Sequence, residues 1–122
     1  MEALFDKDCQ LVAWLDAENE NIFDTNMNWI AFLSEDNIFS STTKKWLGVY
    51  NKLACYDTTG RIVAWNPESP FEGMGTPNRP YSPYTPYTPY TPYKPYTPYT
   101  PYRPNTPYRG WSEISFNKWR NQ

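Results

Sequence analysis

The chain has 122 residues and a net charge of −2, and Pro, Tyr, Trp and Phe together make 36 of them (13, 11, 6 and 6). It has no His, two Cys and five Gly, which excludes histidine acid–base catalysis, a four-ligand structural zinc site and a collagen triple helix. No apolar run approaches the roughly 18 residues of a membrane span, and the composition argues against an enzyme.

The charge is unevenly placed. Residues 1–72 carry twelve acids and five bases, for −7, whereas residues 73–122 carry one acid and six bases, for +5. The two halves can attract each other within a chain or between chains. The start, Met1 to Asp6, lacks the basic and apolar stretches of a secretory leader. With Met1 as the natural start the expected location is cytoplasmic, and Cys9 and Cys55 are expected as reduced packing or turn thiols.

Residues 1–68 read as a fourfold repeat. Leu4-Phe5-Asp6 precedes Leu11-Val12-Ala13-Trp14-Leu15, and Ile22-Phe23-Asp24 precedes Trp29-Ile30-Ala31-Phe32-Leu33. Ile38-Phe39-Ser40 precedes Trp46-Leu47-Gly48-Val49-Tyr50, and Cys55-Tyr56-Asp57 precedes Ile62-Val63-Ala64-Trp65. The anchor aromatics Phe5, Phe23, Phe39 and Tyr56 are 18, 16 and 17 residues apart, and such a short period points to stacked or radial architecture. Each unit predicts a β-hairpin of short β-branched and aromatic runs. The turns open on Asp6, Asp24, Ser40 and Asp57, whose side chains bond the backbone two residues on. The third turn needs one extra residue. Gly60 suits the left-handed position that ends its turn, which Cys9 and Met27 fill less comfortably. Four hairpins about a pseudo-fourfold axis bury their aromatics and shield one another's edges, which a lone hairpin cannot do.

These units, together with the hairpin Arg61-Ile-Val-Ala-Trp-Asn66 and the closing Gly110-Trp111-Ser112, resemble the small bacterial four-fold beta flower family. The resemblance covers nearly the whole chain. It implies a four-hairpin β fold, a proline-rich period-three tail and a bacterial source, and it brings no catalytic residue with it. Cys9 stands where that family's first turn usually has Gly.

Residues 69–76, with Pro70, Gly73 and Gly75, read as a hinge. From 77 to 109 Pro recurs every third residue, from Pro77 to Pro107. Proline fixes its own φ and extends its predecessor, so the segment predicts polyproline II, about 95 Å long over 31 residues at about 3.1 Å each. Three residues per turn make three edges. One is Pro. One is Tyr81, Tyr84, Tyr87, Tyr90, Tyr93, Tyr96, Tyr99, Tyr102 and Tyr108. The third is Thr with Arg79, Lys94, Arg103 and Arg109. The tyrosine edge, with Arg103 and Arg109, is the candidate binding surface. A solvated spacer, a rod docked on its own or a neighbouring protein, and recognition of an outside partner are the readings open to it. Pro98–Arg103 and Pro104–Arg109 match a PxxPxR ligand formally. Stacking of single-stranded nucleic acid on the Tyr and Arg side chains is opposed by sparse bases and an acidic chain.

Residues 110–122 predict a short docking segment, with Ser112 capping a helix, Trp111 and Phe116 as a hydrophobic staple, and Ile114, Phe116 and Trp119 as an apolar cluster. No catalytic, metal or cofactor constellation emerges. Asp6, Asp24 and Asp57 read as turn residues rather than an acid–base pair or a Ca²⁺ site, since Ser40 breaks the set. The fold expected is all-β: four hairpins in a pseudo-fourfold arrangement over 1–68, then the polyproline II segment and the short apolar one. The function expected is a non-enzymatic structural or protein-interaction role through the tyrosine-edged rod, with a protein partner or self-association and no membrane. The alternative is a ligand-binding or enzymatic β domain with an acidic pocket built on Glu18 or Asp36.

Overall fold

The computed structural model describes residues 1–8, 10–68 and 111–122; Cys9, the hinge and the proline-rich rod lie outside them. Eight strands follow one another as β1 Glu2–Phe5, β2 Leu11–Asp16, β3 Asn21–Asp24, β4 Trp29–Ser34, β5 Asn37–Ser40, β6 Trp46–Asn51, β7 Ala54–Tyr56 and β8 Ile62–Trp65. Among the described residues a single short helix, α1, spans Phe116–Arg120. Every strand pairs antiparallel with its neighbours in sequence, and β1 pairs with β8, so the sheet is a closed barrel. The chain is all-β with four hairpins, and closure leaves no strand edge open. The β1–β8 seam is the shortest ladder: Phe5 faces Trp65, and the Asn66 amide donates to the Ala3 carbonyl at 2.8 Å.

The fourfold repeat is a repeat of register. Within the hairpins Leu4 faces Ala13, Ile22 faces Ala31, Ile38 faces Gly48 and Cys55 faces Ala64. These positions point to the axis and merge into one buried aliphatic core with Leu15 and Leu33. A small residue opposite each bulky one lets eight short strands converge on a narrow interior. Gly48 is the limiting case: its φ is +151°, and a Cβ there would stand 1.8 Å from the Tyr56 carbonyl oxygen.

One step further along, each hairpin slips. The ladder goes from Leu4–Ala13 to Phe5–Leu11, and it makes the same shift in the other three hairpins. The extra residues are Val12, Ile30, Leu47 and Val63, one bulge per unit. A bulge leaves its extra residue unpaired and bends the strand. All four belong to or pack against the axial core, at the end of the barrel where the Asp- and Ser-led turns lie.

Aromatic side chains alternate with the axial ones and so face outward. Phe5 pairs with Trp65, Trp14 with Phe23 and Phe32 with Phe39 across the boundaries between hairpins. Val49 packs against Tyr56 at the fourth boundary. The aromatics are therefore buried at seams around the barrel rather than gathered at its axis. The Phe32 and Phe39 rings stack with centroids 5.5 Å apart.

Candidate functional site

Two regions of the molecule are built for more than closing the sheet. The first is the turn end of the barrel and the C-terminal segment that covers it. The Asp6 Oδ1 atom accepts from the backbone N–H groups of Asp8 and Gln10 at 2.9 and 3.0 Å. Asp24 repeats this with Asn26 and Asn28, both at 2.9 Å, and Asp57 with Thr59 and Arg61 at 2.9 and 3.0 Å. Ser40 substitutes its hydroxyl, accepting from Thr42 and Thr43 at 3.2 Å. The positive-φ residue that ends the turn is Met27 at 62°, Lys44 at 63° and Gly60 at 90°; Lys44 shows the longer third turn. Met27 thus takes the left-handed geometry despite its side chain, held by its N–H to the Asp24 carbonyl at 3.0 Å.

The C-terminal segment lies over these turns. Trp111 forms a parallel bridge with Ile62, and its ring lies 6.2 Å from that of Trp65. The Ser112 N–H donates to the Ile62 carbonyl at 2.7 Å, and its hydroxyl donates to Asp57 Oδ2 at 2.5 Å. Ser112 does not cap the helix, as its sequence position suggested. That role falls to Ser115, whose Oγ accepts from the Lys118 N–H at 3.1 Å. Ser112 is already committed to the barrel, and the staple moves with the cap: Ile114 and Trp119, not Trp111 and Phe116, flank the first turn. Trp119 is fully buried, packs in the axial core and donates its indole N–H to the carbonyl of the bulge residue Leu47 at 2.8 Å. Arg120 pairs with Asp24 Oδ2 at 3.3 Å. The helix is a plug in the bulged end of the barrel.

Burial raises the Asp24 carboxyl, but hydrogen bonds from Asn28 and Asn26 and the Arg120 charge outweigh it and hold the group below its ordinary value. At Asp57 burial is likewise outweighed, first by the Ser112 and Thr59 hydroxyls and then by the Arg61 and Thr59 backbone. Both carboxylates are ionised structural acceptors. Burial alone pushes the Cys55 thiol up to about 12, so it is an inert core thiol. Small grooves flank the plug, one of about 150 Å³ bounded by Trp29, Ser40, Thr43 and Arg120, the other of about 160 Å³ bounded by Asp6, Lys7, Trp111 and Phe116.

The second region is the outward aromatic belt, with an aromatic side chain on every strand. Among the described residues its buried polar atoms without a hydrogen-bond partner are the indole nitrogens of Trp29, Trp46 and Trp65 and the amide oxygen of Asn21. Lys44 Nζ lies 5.6 Å from the Trp29 ring centroid. Unpaired buried polar groups are rare and call for an explanation.

The residues singled out for binding in the sequence, Tyr81 to Tyr108 with Arg103 and Arg109, lie outside the described residues. Glu18 and Asp36 are exposed on connections at the end of the barrel opposite the plug, and the structure does not bring them together. Asp6, Asp24 and Asp57 are turn residues as expected, and no cluster of three metal-ligating side chains occurs among the described residues. Sequence reasoning missed the Ser112–Asp57 and Arg120–Asp24 ties, which span 55 and 96 residues of chain. It also missed the bulges, although their signal is visible. Val12-Ala13, Ile30-Ala31, Leu47-Gly48 and Val63-Ala64 each put two apolar residues in a row where strict alternation has one.

The family model of the 4-fold beta flower protein matches residues 2–120. The chain belongs to that family. Its match runs from β1 through the plug helix, so the beta flower comprises the barrel and its C-terminal plug as well as the residues between them. Neither the curated proteins nor the solved structures gave a match to this beta flower chain. No helix among its described residues is long and apolar enough to cross a membrane.

Proposed function

We propose that this beta flower protein is a non-enzymatic structural or protein-interaction module that works through its tyrosine-edged rod. One observation supports this reading most directly: the described chain on either side of residues 69–110 is anchored to the barrel. It leaves the barrel after β8, where Asn66 bonds back to Ala3, and returns at Trp111 and Ser112, which bond to Ile62 of β8. The barrel thus anchors the chain at Asn66 and again at Trp111 and Ser112. Pro and Tyr lose little conformational freedom on binding, and each Tyr offers a large amphipathic face. The rod packs on aromatic or acidic protein surface, its own or that of a partner. A cytoplasmic setting suits the free, buried Cys55.

The test replaces the nine rod tyrosines by Ser in the full chain and compares it with the parent by affinity capture and sedimentation. The expected result is loss of captured protein or of self-association with the barrel's circular dichroism unchanged. Equal behaviour of the two chains overturns the reading.

A further inference from the structure

We infer that the groove between the third turn and the end of the plug helix binds a small aliphatic monocarboxylate, at the one turn of the repeat that opens on Ser instead of Asp. The site is independent of the proline-rich segment.

The Asp-led turns show what a carboxylate does at this end of the barrel. At Asp24, Oδ1 accepts from the backbone N–H groups of Asn26 and Asn28. Its Oδ2 is left to accept from the Asn28 amide at 3.2 Å and to pair with Arg120 at 3.3 Å. At Asp57, Oδ1 accepts from the Thr59 and Arg61 N–H groups, and Oδ2 accepts from the Ser112 hydroxyl. One oxygen holds the turn, and the second ties the turn to the C-terminal segment. Ser40 has a single oxygen, which accepts from Thr42 and Thr43 at 3.2 Å. The third turn therefore brings neither a second acceptor nor a negative charge to the plug.

The donors around that position are nonetheless there. The groove of about 150 Å³ is bounded by Trp29, Ile30, Ser40, Thr42, Thr43 and Arg120. A guanidinium carries five N–H donors, and Arg120 gives Asp24 a single bond, from its Nη1 atom. A second cation, Lys44 of the same turn, donates to the Ser41 carbonyl and lies with Nζ 5.6 Å from the centroid of the Trp29 ring. The Trp29 indole N–H has no hydrogen-bond partner, and the Thr42 and Thr43 hydroxyls can donate as well.

This donor set selects a carboxylate. Planar guanidinium matches a carboxylate in a two-pronged geometry, and bonds to a charged acceptor are about twice as strong as neutral ones. Two cationic side chains beside one anionic Asp24 favour a singly charged ligand over a dianion. The Trp29 ring and Ile30 are apolar, so the body of the ligand is aliphatic. A single water needs about 10–15 Å³ of such space, and the groove has room for a short-chain acid of acetate to butyrate size.

The test titrates the full-length ¹⁵N-labelled chain with sodium butyrate at constant ionic strength, with sodium chloride and inorganic phosphate run alongside. The signals followed are the Trp29 indole N–H and the Thr42 and Thr43 amides. The expected result is saturable shifts with butyrate, weaker binding of phosphate and no saturable shift with chloride. Ser40→Asp supplies the second oxygen from the chain itself, as in the sister turns. It is expected to bind butyrate at least about tenfold more weakly, because the introduced carboxylate takes the donors and repels the ligand. Trp29→Phe keeps a ring and removes the donor, and is expected to weaken binding about fivefold, the worth of one ordinary hydrogen bond. Shifts that do not saturate, or equal shifts with chloride, overturn the site. Tighter binding of phosphate than of butyrate overturns the choice of a monocarboxylate. Unchanged affinity in Ser40→Asp overturns the placement at the third turn. Should that variant lose the circular dichroism of the parent, unchanged affinity in Trp29→Phe overturns it instead.

Discussion

Gly48 is the residue at which the fourfold pattern has no slack. Its three equivalents are Ala, but at Gly48 the neighbouring strand comes so close that an added methyl would overlap the Tyr56 carbonyl oxygen at 1.8 Å, and its φ of +151° is strained for any side chain. Gly48→Ala is expected to destabilise the barrel by about 3 kcal/mol or more, read as a lowered urea midpoint. The turn carboxylates act at the same scale. Asp24 and Asp57 are held below the ordinary value of 3.8, so they bind fewer protons folded than unfolded near that pH. Their contribution is present above 3.8 and is lost as pH falls through and below it. The urea midpoint is expected to hold from neutral pH to about pH 5 and to drop below about pH 4. Ser112→Ala, which removes the first of the groups lowering Asp57, should make that drop shallower; an unchanged slope would show that Asp57 is not tied to the tail.

At the scale of elements, the informative unit is the plug rather than any strand. A five-residue helix is far too short to be stable alone. It exists because Ser115 caps it and because Phe116 and Trp119 enter the core. The bulges prepare that site. By adding Val12, Ile30, Leu47 and Val63 to the axial face they widen the apolar mouth at one end, and the Leu47 carbonyl is left to accept the Trp119 indole at 2.8 Å. Trp119→Ala is therefore expected to cost about 3–5 kcal/mol and to release the C-terminal segment, seen as fast amide exchange at Trp111 and Ser112. A loss below about 1 kcal/mol would mean that the barrel is sealed without its plug. The connections at the opposite end are spare by comparison. Two-residue turns at Glu35-Asp36 and Lys52-Leu53 take positive φ at both positions without a glycine, as tight hairpin loops require.

For the whole molecule, the described chain is a barrel stapled by its own C-terminal segment. Much of this is legible in the sequence. The spacing of Phe5, Phe23, Phe39 and Tyr56 announces four hairpins, because a period-two pattern broken by Asp- or Ser-led turns has one economical folding. Local chemistry sufficed for the turns too: Asp6, Asp24, Ser40 and Asp57 bond groups two to four residues away. The capping of α1 was misplaced for the converse reason. Ser112 and Ser115 both suit an N-cap, and what separates them is that Asp57, far back in the chain, takes the Ser112 hydroxyl. The same holds for closure of β1 on β8, for the seam positions of the aromatics and for the apolar mouth that receives Trp119. By itself the sequence determined the repeat, the hairpins and their turns, since these depend on neighbours in the chain. Only the tertiary structure decided which aromatics meet, which serine caps and what plugs the barrel, because those depend on residues brought together from distant parts of the chain as the sheet curls shut.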